Sequence, residues 1–158
     1  MTPLFKKLNY KGQKFIRIFN KPESFDSELK GLEGLCEIHE TSILKSYPYI
    51  LAFCENKTQF LALYEECINL TEEPDGLLWF AYPKKSSKKY KSDLTRDEGW
   101  EIMGERGFEP VRQIAIDDDW SSLRFRKIEN IKIFKRSEDF AMSAEGKKRA
   151  AGKNKGQD

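Results

Sequence analysis

The sequence is poor in the residues that catalytic and metal sites most often use. It has one histidine, His39, and three cysteines, Cys36, Cys54 and Cys67. A lone histidine with scattered thiols makes no recognisable metal site, because the usual ions need closely spaced ligands. The odd cysteine count argues against a disulfide framework and for free thiols in a reducing compartment. No apolar run is long enough to cross a bilayer; the longest, Tyr47 to Cys54, is far too short. The opening MTPLFKKLNYKGQ has no apolar stretch of the signal-peptide kind. A soluble, cytoplasmic protein is the expectation. No glycine-rich loop of the phosphate-cradling type occurs either.

What the chain does have is charge, unevenly spread. Its 158 residues suit one domain, and the net charge is only +2. Residues 84 to 91 carry five lysines and no acid, and residues 146 to 157 carry five basic residues and no acid. Without these two clusters the body is acidic. We expect a single α/β domain over 1–136 and a basic, disordered tail over 137–158.

Lys14 to Asn20, bracketed by Gly12 and Pro22, reads as a short strand. Ser24 is placed to cap a short helix ending near Gly31, and Leu35 to Glu40 alternates like a half-buried strand. Tyr49 to Cys54 and Leu77 to Tyr82 are continuously apolar, as strands covered on both faces are. Between them, Asn56 and Gln59 form a capping-box pattern ahead of a helix reaching about Leu70. Thr95 and Glu98 repeat that pattern ahead of Trp100 and Met103, and Gly107 is placed to end the second helix. A closing hairpin follows, Val111 to Asp117 and Ser121 to Ile128. A tight turn at Asp118 and Asp119 would set Ile114 opposite Leu123 and Gln113 opposite Arg124. Alternating strands and helices imply a three-layer, mainly parallel, Rossmann-like sheet. We expect strand order 2-1-3-4-6-5, with strand 6 antiparallel.

Three blocks carry a family resemblance: Leu78 to Lys84, then Asp93-Leu94-Thr95, then Ile116-Asp117 with Trp120 to Phe125. Residues 77 to 125 resemble an uncharacterised family of small bacterial proteins, a domain of unknown function. That family looks like a reduced class I methyltransferase sheet with its closing antiparallel hairpin. The resemblance implies the methyltransferase-like strand order above and carries no reaction. The chain departs from the methyltransferase pattern in the loop after the first strand. Asn20-Lys21-Pro22-Glu23-Ser24 has no glycine to let a backbone turn sharply against a cofactor. Glu40 stands about where a ribose-binding acid would sit, with a plain exposed glutamate as the simpler reading.

In open parallel sheets ligands bind beyond the carboxyl ends of the strands. That makes the loop after Tyr82 the leading candidate, with Lys84, Ser86, Ser87 and Lys88 able to hold an anion; solvated lysines are the plainer alternative. Trp120 and Arg124 form a second candidate, a ring to stack on and a guanidinium to pair, against a tryptophan that merely closes the core. A His39–Cys54 nucleophilic pair is disfavoured because their strands flank the first strand rather than each other. Asp117, Asp118 and Asp119 lack the alternation and glycine of a calcium loop. The expectation is a non-catalytic module, with no cofactor, that binds a protein partner or an anionic ligand at the strand ends. One alternative is an enzyme with a nucleotide-type cofactor and Glu40 on its ribose. A second is weak, non-specific nucleic-acid binding through the lysine clusters.

Overall fold

The computed structural model describes residues 1–131. The expected basic tail lies outside the described residues. The chain forms α1 (Pro3–Lys7), β1 (Phe15–Phe19), a 3-10 turn (Glu23–Phe25), α2 (Asp26–Lys30), β2 (Glu37–His39) and β3 (Tyr49–Phe53). It continues with α3 (Lys57–Leu70), β4 (Leu77–Pro83), α4 (Glu101–Glu105), β5 (Phe108–Ala115), β6 (Trp120–Lys127) and a final 3-10 turn (Ile128–Asn130).

The six strands make one sheet in the order β2-β1-β3-β4-β6-β5, and β6 runs antiparallel to both neighbours. The fold is the three-layer Rossmann-like, methyltransferase-like α/β architecture. The two continuously apolar segments form its middle: every residue of β3 is buried, and so is every residue of β4 after Leu77. On one face α3 and α4 cover Ile50, Ala52, Leu78, Phe80 and Tyr82, with Phe60 and Trp100 as the large contributors. On the other face Phe5 and Leu8 from the amino-terminal segment and Phe25 and Leu32 around α2 cover Tyr49, Leu51, Phe53 and Trp79.

Several elements depart from expectation. The amino-terminal segment, whose sequence has no long apolar stretch, forms α1: Thr2 Oγ1 accepts from Phe5 N and Pro3 opens the helix. Ser24 caps nothing, because the turn begins a residue earlier at Glu23 behind Pro22. β2 shortens to three residues on the sheet edge, and Leu35 is left 50% exposed. Asn56 Oδ1 does cap α3, accepting from Gln59 N, while Gln59 Oε1 reaches one residue further back to Glu55 N. Thr95 holds a turn rather than a helix: Oγ1 accepts from Asp97 N and Glu98 N, then Gly99 at φ +103° breaks the path. Only after that does α4 start.

The hairpin register differs from the expected one by a residue. Gln113 faces Leu123 and Ile114 faces Ser122. The turn spans three residues rather than two. Ile116 N and Asp117 N both donate to Trp120 O, and Asp117 Oδ1 accepts from Asp119 N and Trp120 N. Side chains alternate across a strand, so a one-residue slip exchanges the two faces. The slip puts Gln113 on the same face as Leu123 and Tyr82. A bulge between Pro110 and Arg112 then absorbs the odd residue.

Candidate binding site at the carboxyl end of β4

Beyond the end of β4 lies an open cavity of about 670 Å³, on the α3/α4 face of the sheet. Tyr82, Gln113 and Ser121 form its floor, Lys84, Lys85 and Ser86 one wall, and Thr95 to Glu98 a second wall. β4 supplies the first wall because Pro83 ends its pairing and turns the chain outward. That turn is held at three points. Lys84 N donates to Asp119 O (2.8 Å), Ser87 N to Lys84 O (3.1 Å), and Ser87 Oγ to Asp119 Oδ1 (2.7 Å). The second wall is anchored to the core by Trp100, whose Nε1 donates to Thr95 O (2.7 Å).

On the floor, Gln113 Nε2 donates to Tyr82 Oη (3.0 Å) and lies 3.4 Å from Ser121 Oγ. Burial raises the Tyr82 phenol above its usual range, an effect partly offset by hydrogen bonds with Ser121 and Gln113. The phenol therefore stays protonated and neutral. Lys84 and Lys85 have no carboxylate partner among the described residues. On the second wall, Arg96 Nε donates to Asp97 Oδ1 at 3.2 Å.

Of the six residues singled out from sequence as an anion site, Lys84 and Ser86 line this cavity. Ser87 is instead structural. Besides donating to Asp119, its hydroxyl accepts from Lys89 N and Tyr90 N. Lys88 is exposed and away from the cavity lining. Trp120 is 4% exposed and closes the end of the opposite core layer, edge-on to Phe53 (5.1 Å) and tilted against Tyr90 (5.0 Å). Arg124 is four residues further along β6, about 13 Å away. It approaches Asp75 at 3.9 Å, near the start of β4. Trp120 and Arg124 thus belong to opposite ends of the sheet. Tyr82, Gln113 and Ser121 carried no sequence signal, because the hairpin register decides which face they share.

At the crevice between β1 and β3, where the strand order reverses, side chains pack against the end of β3. Asn20 takes a left-handed backbone at φ +54°, the conformation glycine would otherwise supply, and its Nδ2 donates to Phe53 O (3.4 Å). Phe25 is buried against Phe53 at 5.1 Å. Glu40 lies 3.8 Å from Lys21, which also pairs with Asp26 at 2.6 Å. Below it, Arg17 is 6% exposed. It donates to Ser42 Oγ (2.9 Å) and to Ile18 O and Glu40 O, and lies 3.6 Å from the Phe19 ring centre. Burial lowers the Arg17 pKa; nothing in the apolar strand KFIRIFN marks it as a buried charge.

His39 and Cys54 do not meet. His39 Nδ1 is 2.7 Å from Tyr47 Oη and Nε2 is 3.2 Å from Glu37. Cys54 is fully buried, and burial pushes its thiol far above the usual range. Asp117 spends its carboxylate on the hairpin turn. Among the described residues no group of three or more His, Cys, Asp or Glu side chains is placed to hold a metal ion, and no helix is long and apolar enough to cross a membrane.

No family model matches the chain, and no curated protein does. Solved structures do resemble it. A SAM-dependent methyltransferase from Aquifex aeolicus superposes with a TM-score of 0.52 at 11% identity, over 78% of this chain and 87% of that one. A ribosomal protein L11 methylase from Lactobacillus delbrueckii subsp. bulgaricus gives 0.47 at 12% identity, over 78% and 76%. A protein of the NADB-Rossmann superfamily from Streptococcus agalactiae gives 0.47 at 12% identity, over 80% and 68%. At these identities the likeness concerns the fold alone.

Proposed function

We propose that the protein is a non-catalytic module that binds an anionic small molecule in the cavity beyond β4. The observation that carries this reading is the pair of ammonium groups, Lys84 and Lys85, without a carboxylate partner among the described residues, on a wall held by Ser87 and Asp119. A preformed concavity with a few convergent polar groups is how small-molecule sites are generally built. Its volume of about 670 Å³ suits a small metabolite. The inert Cys54 thiol, the engaged His39 and the protonated Tyr82 phenol support binding over chemistry. Phe25 and Asn20 against Phe53 at the β1–β3 crevice weigh against a nucleotide-type cofactor there, and Glu40 in its ion pair with Lys21 weighs against a ribose contact.

The test is calorimetric titration with inorganic phosphate and small phosphate esters, alongside S-adenosylmethionine and adenine nucleotides. At least one phosphate compound is expected to bind, and Lys84→Gln plus Lys85→Gln to weaken it about tenfold or more. Binding of S-adenosylmethionine that survives the double substitution would point to the enzymatic alternative. Binding of an oligonucleotide that collapses with salt and with the same substitutions would point to a nucleic-acid backbone as the anion.

A further inference from the structure

The cavity is not uniformly basic, and its asymmetry says more about the occupant than its lysines do. The lysine wall shares the cavity with a second wall bearing Arg96, Asp97 and Glu98. That second wall is held by hydrogen bonds. Thr95 Oγ1 accepts from the backbone amides of Asp97 and Glu98, Thr95 N donates to Glu98 O, and Trp100 ties Thr95 O to the core. Asp97 is engaged by Arg96, whereas the Glu98 carboxylate has no side-chain partner among the described residues. A polyphosphate or an extended phosphodiester backbone would set negative charge against Glu98. A neutral sugar would leave the lysines unmatched. A molecule with an anionic end toward Lys84 and Lys85 and hydroxyl donors toward Glu98 satisfies both walls.

The floor narrows the class further. Tyr82 Oη accepts from Gln113 Nε2 and is also hydrogen-bonded to Ser121, while Gln113 Oε1 has no donor among the described residues and is left to accept. Such a polar floor with an acceptor to spare matches hydroxyl groups, each of which both gives and takes a hydrogen bond. Among the described residues Tyr82 is also the one aromatic ring in the cavity lining, and it is committed edge-on to Trp100 at a centroid distance of 5.6 Å. Among the described residues no aromatic face is offered there on which a nucleobase could stack.

We propose that the occupant is the phosphate monoester of a small polyol or sugar, held with its phosphate on Lys84 and Lys85 and its hydroxyls on Glu98, Tyr82 and Gln113. This rests on the anion-binding reading above and adds the ligand's chemical class. Both walls are held by backbone hydrogen bonds before any ligand arrives, so little ordering opposes binding.

The experiment is isothermal titration of the full chain with glycerol 3-phosphate, ribose 5-phosphate and glucose 6-phosphate, against inorganic phosphate, tripolyphosphate, glucose and AMP. At least one of the three esters is expected to bind tenfold or more tighter than inorganic phosphate or AMP. Glu98→Gln should remove most of that preference while leaving phosphate binding equal or tighter. Gln113→Leu should act in the same direction, and Lys84→Gln plus Lys85→Gln should weaken every anion. Circular dichroism of each variant checks that the fold is kept; Glu98 is exposed, so Glu98→Gln serves even where Gln113→Leu disturbs the hairpin. Tripolyphosphate or inorganic phosphate binding as tightly as the esters would overturn the sugar-phosphate assignment and leave the anion site standing. So would an ester preference that Glu98→Gln does not touch, or a preference for AMP. Failure of every anion to bind would overturn both readings.

Discussion

Asp75, in the turn ahead of β4, holds two arginines of β6. Arg126 meets it in a forked contact, Nε to Oδ1 at 3.0 Å and Nη2 to Oδ2 at 2.6 Å, and Arg124 approaches at 3.9 Å. The Arg124 side chain is 14% exposed, and burial lowers its pKa while Asp75 opposes that shift. Removing Asp75 strands a largely buried cation, which is far more costly than losing a surface pair. Asp75→Ala should therefore lower stability by roughly 2 to 3 kcal/mol, and Arg126→Ala by less, both measured by urea denaturation. An Asp75→Ala loss no greater than that of Arg126→Ala would show that Arg124 does not depend on the carboxylate. Cysteines give a second residue-scale expectation. Cys54 and Cys67 are buried with thiols pushed far up, whereas Cys36 is partly exposed. A thiol reagent near neutral pH should label one site on the native protein and three after denaturation, with Cys36→Ser removing the native signal.

Among the elements, α3 shows the sequence at its most direct. Asn56 caps it as the pattern implies, so Asn56→Ala should cost about 1 kcal/mol by the same denaturation assay. At Asn20 the left-handed backbone sets the order of substitutions. Asn20→Gly should be close to neutral, while Asn20→Val should cost roughly 1 to 2 kcal/mol because a β-branched side chain clashes there. Equal effects of the two would mean that the amide bond to Phe53 O, and not the backbone angle, is what matters. α4 is the contrary case. The Thr95/Glu98 pattern looks like a helix start, yet Gly99 interrupts it. An added Cβ at Gly99 would come within 2.5 Å of Leu94 Cδ2. Local capping chemistry is satisfied equally well by a turn, and Trp100 packing into the core decides between the two.

For the molecule as a whole, burial of ionisable groups predicts a pH dependence. Cys54, Cys67 and Tyr49 all have pKa values raised by burial. The unfolded chain then releases their protons first, thiols near 8.5 and phenols near 10. Above those values the unfolded state binds fewer protons than the folded one, so stability falls as pH rises. The urea midpoint should be level through neutral pH and decline from about pH 8.5 upward. A midpoint that holds to pH 11 would mean these groups are not buried in solution.

The sequence by itself determined the layered α/β architecture, the strand order and the antiparallel sixth strand. Two long apolar runs can be covered only from both sides, and alternating helices do that in few ways. It also located the lysine turn at a strand's carboxyl end. Tertiary structure decided which residues stand beside that turn. A three-residue hairpin turn in place of a two-residue one moved Gln113 across the sheet to Tyr82. Packing sent Trp120 into the opposite core layer and left Arg124 with Asp75. Periodicity reports whether a side chain is buried or exposed, but a one-residue slip reverses every face while keeping much of that pattern, and only the closed set of backbone hydrogen bonds fixes the register.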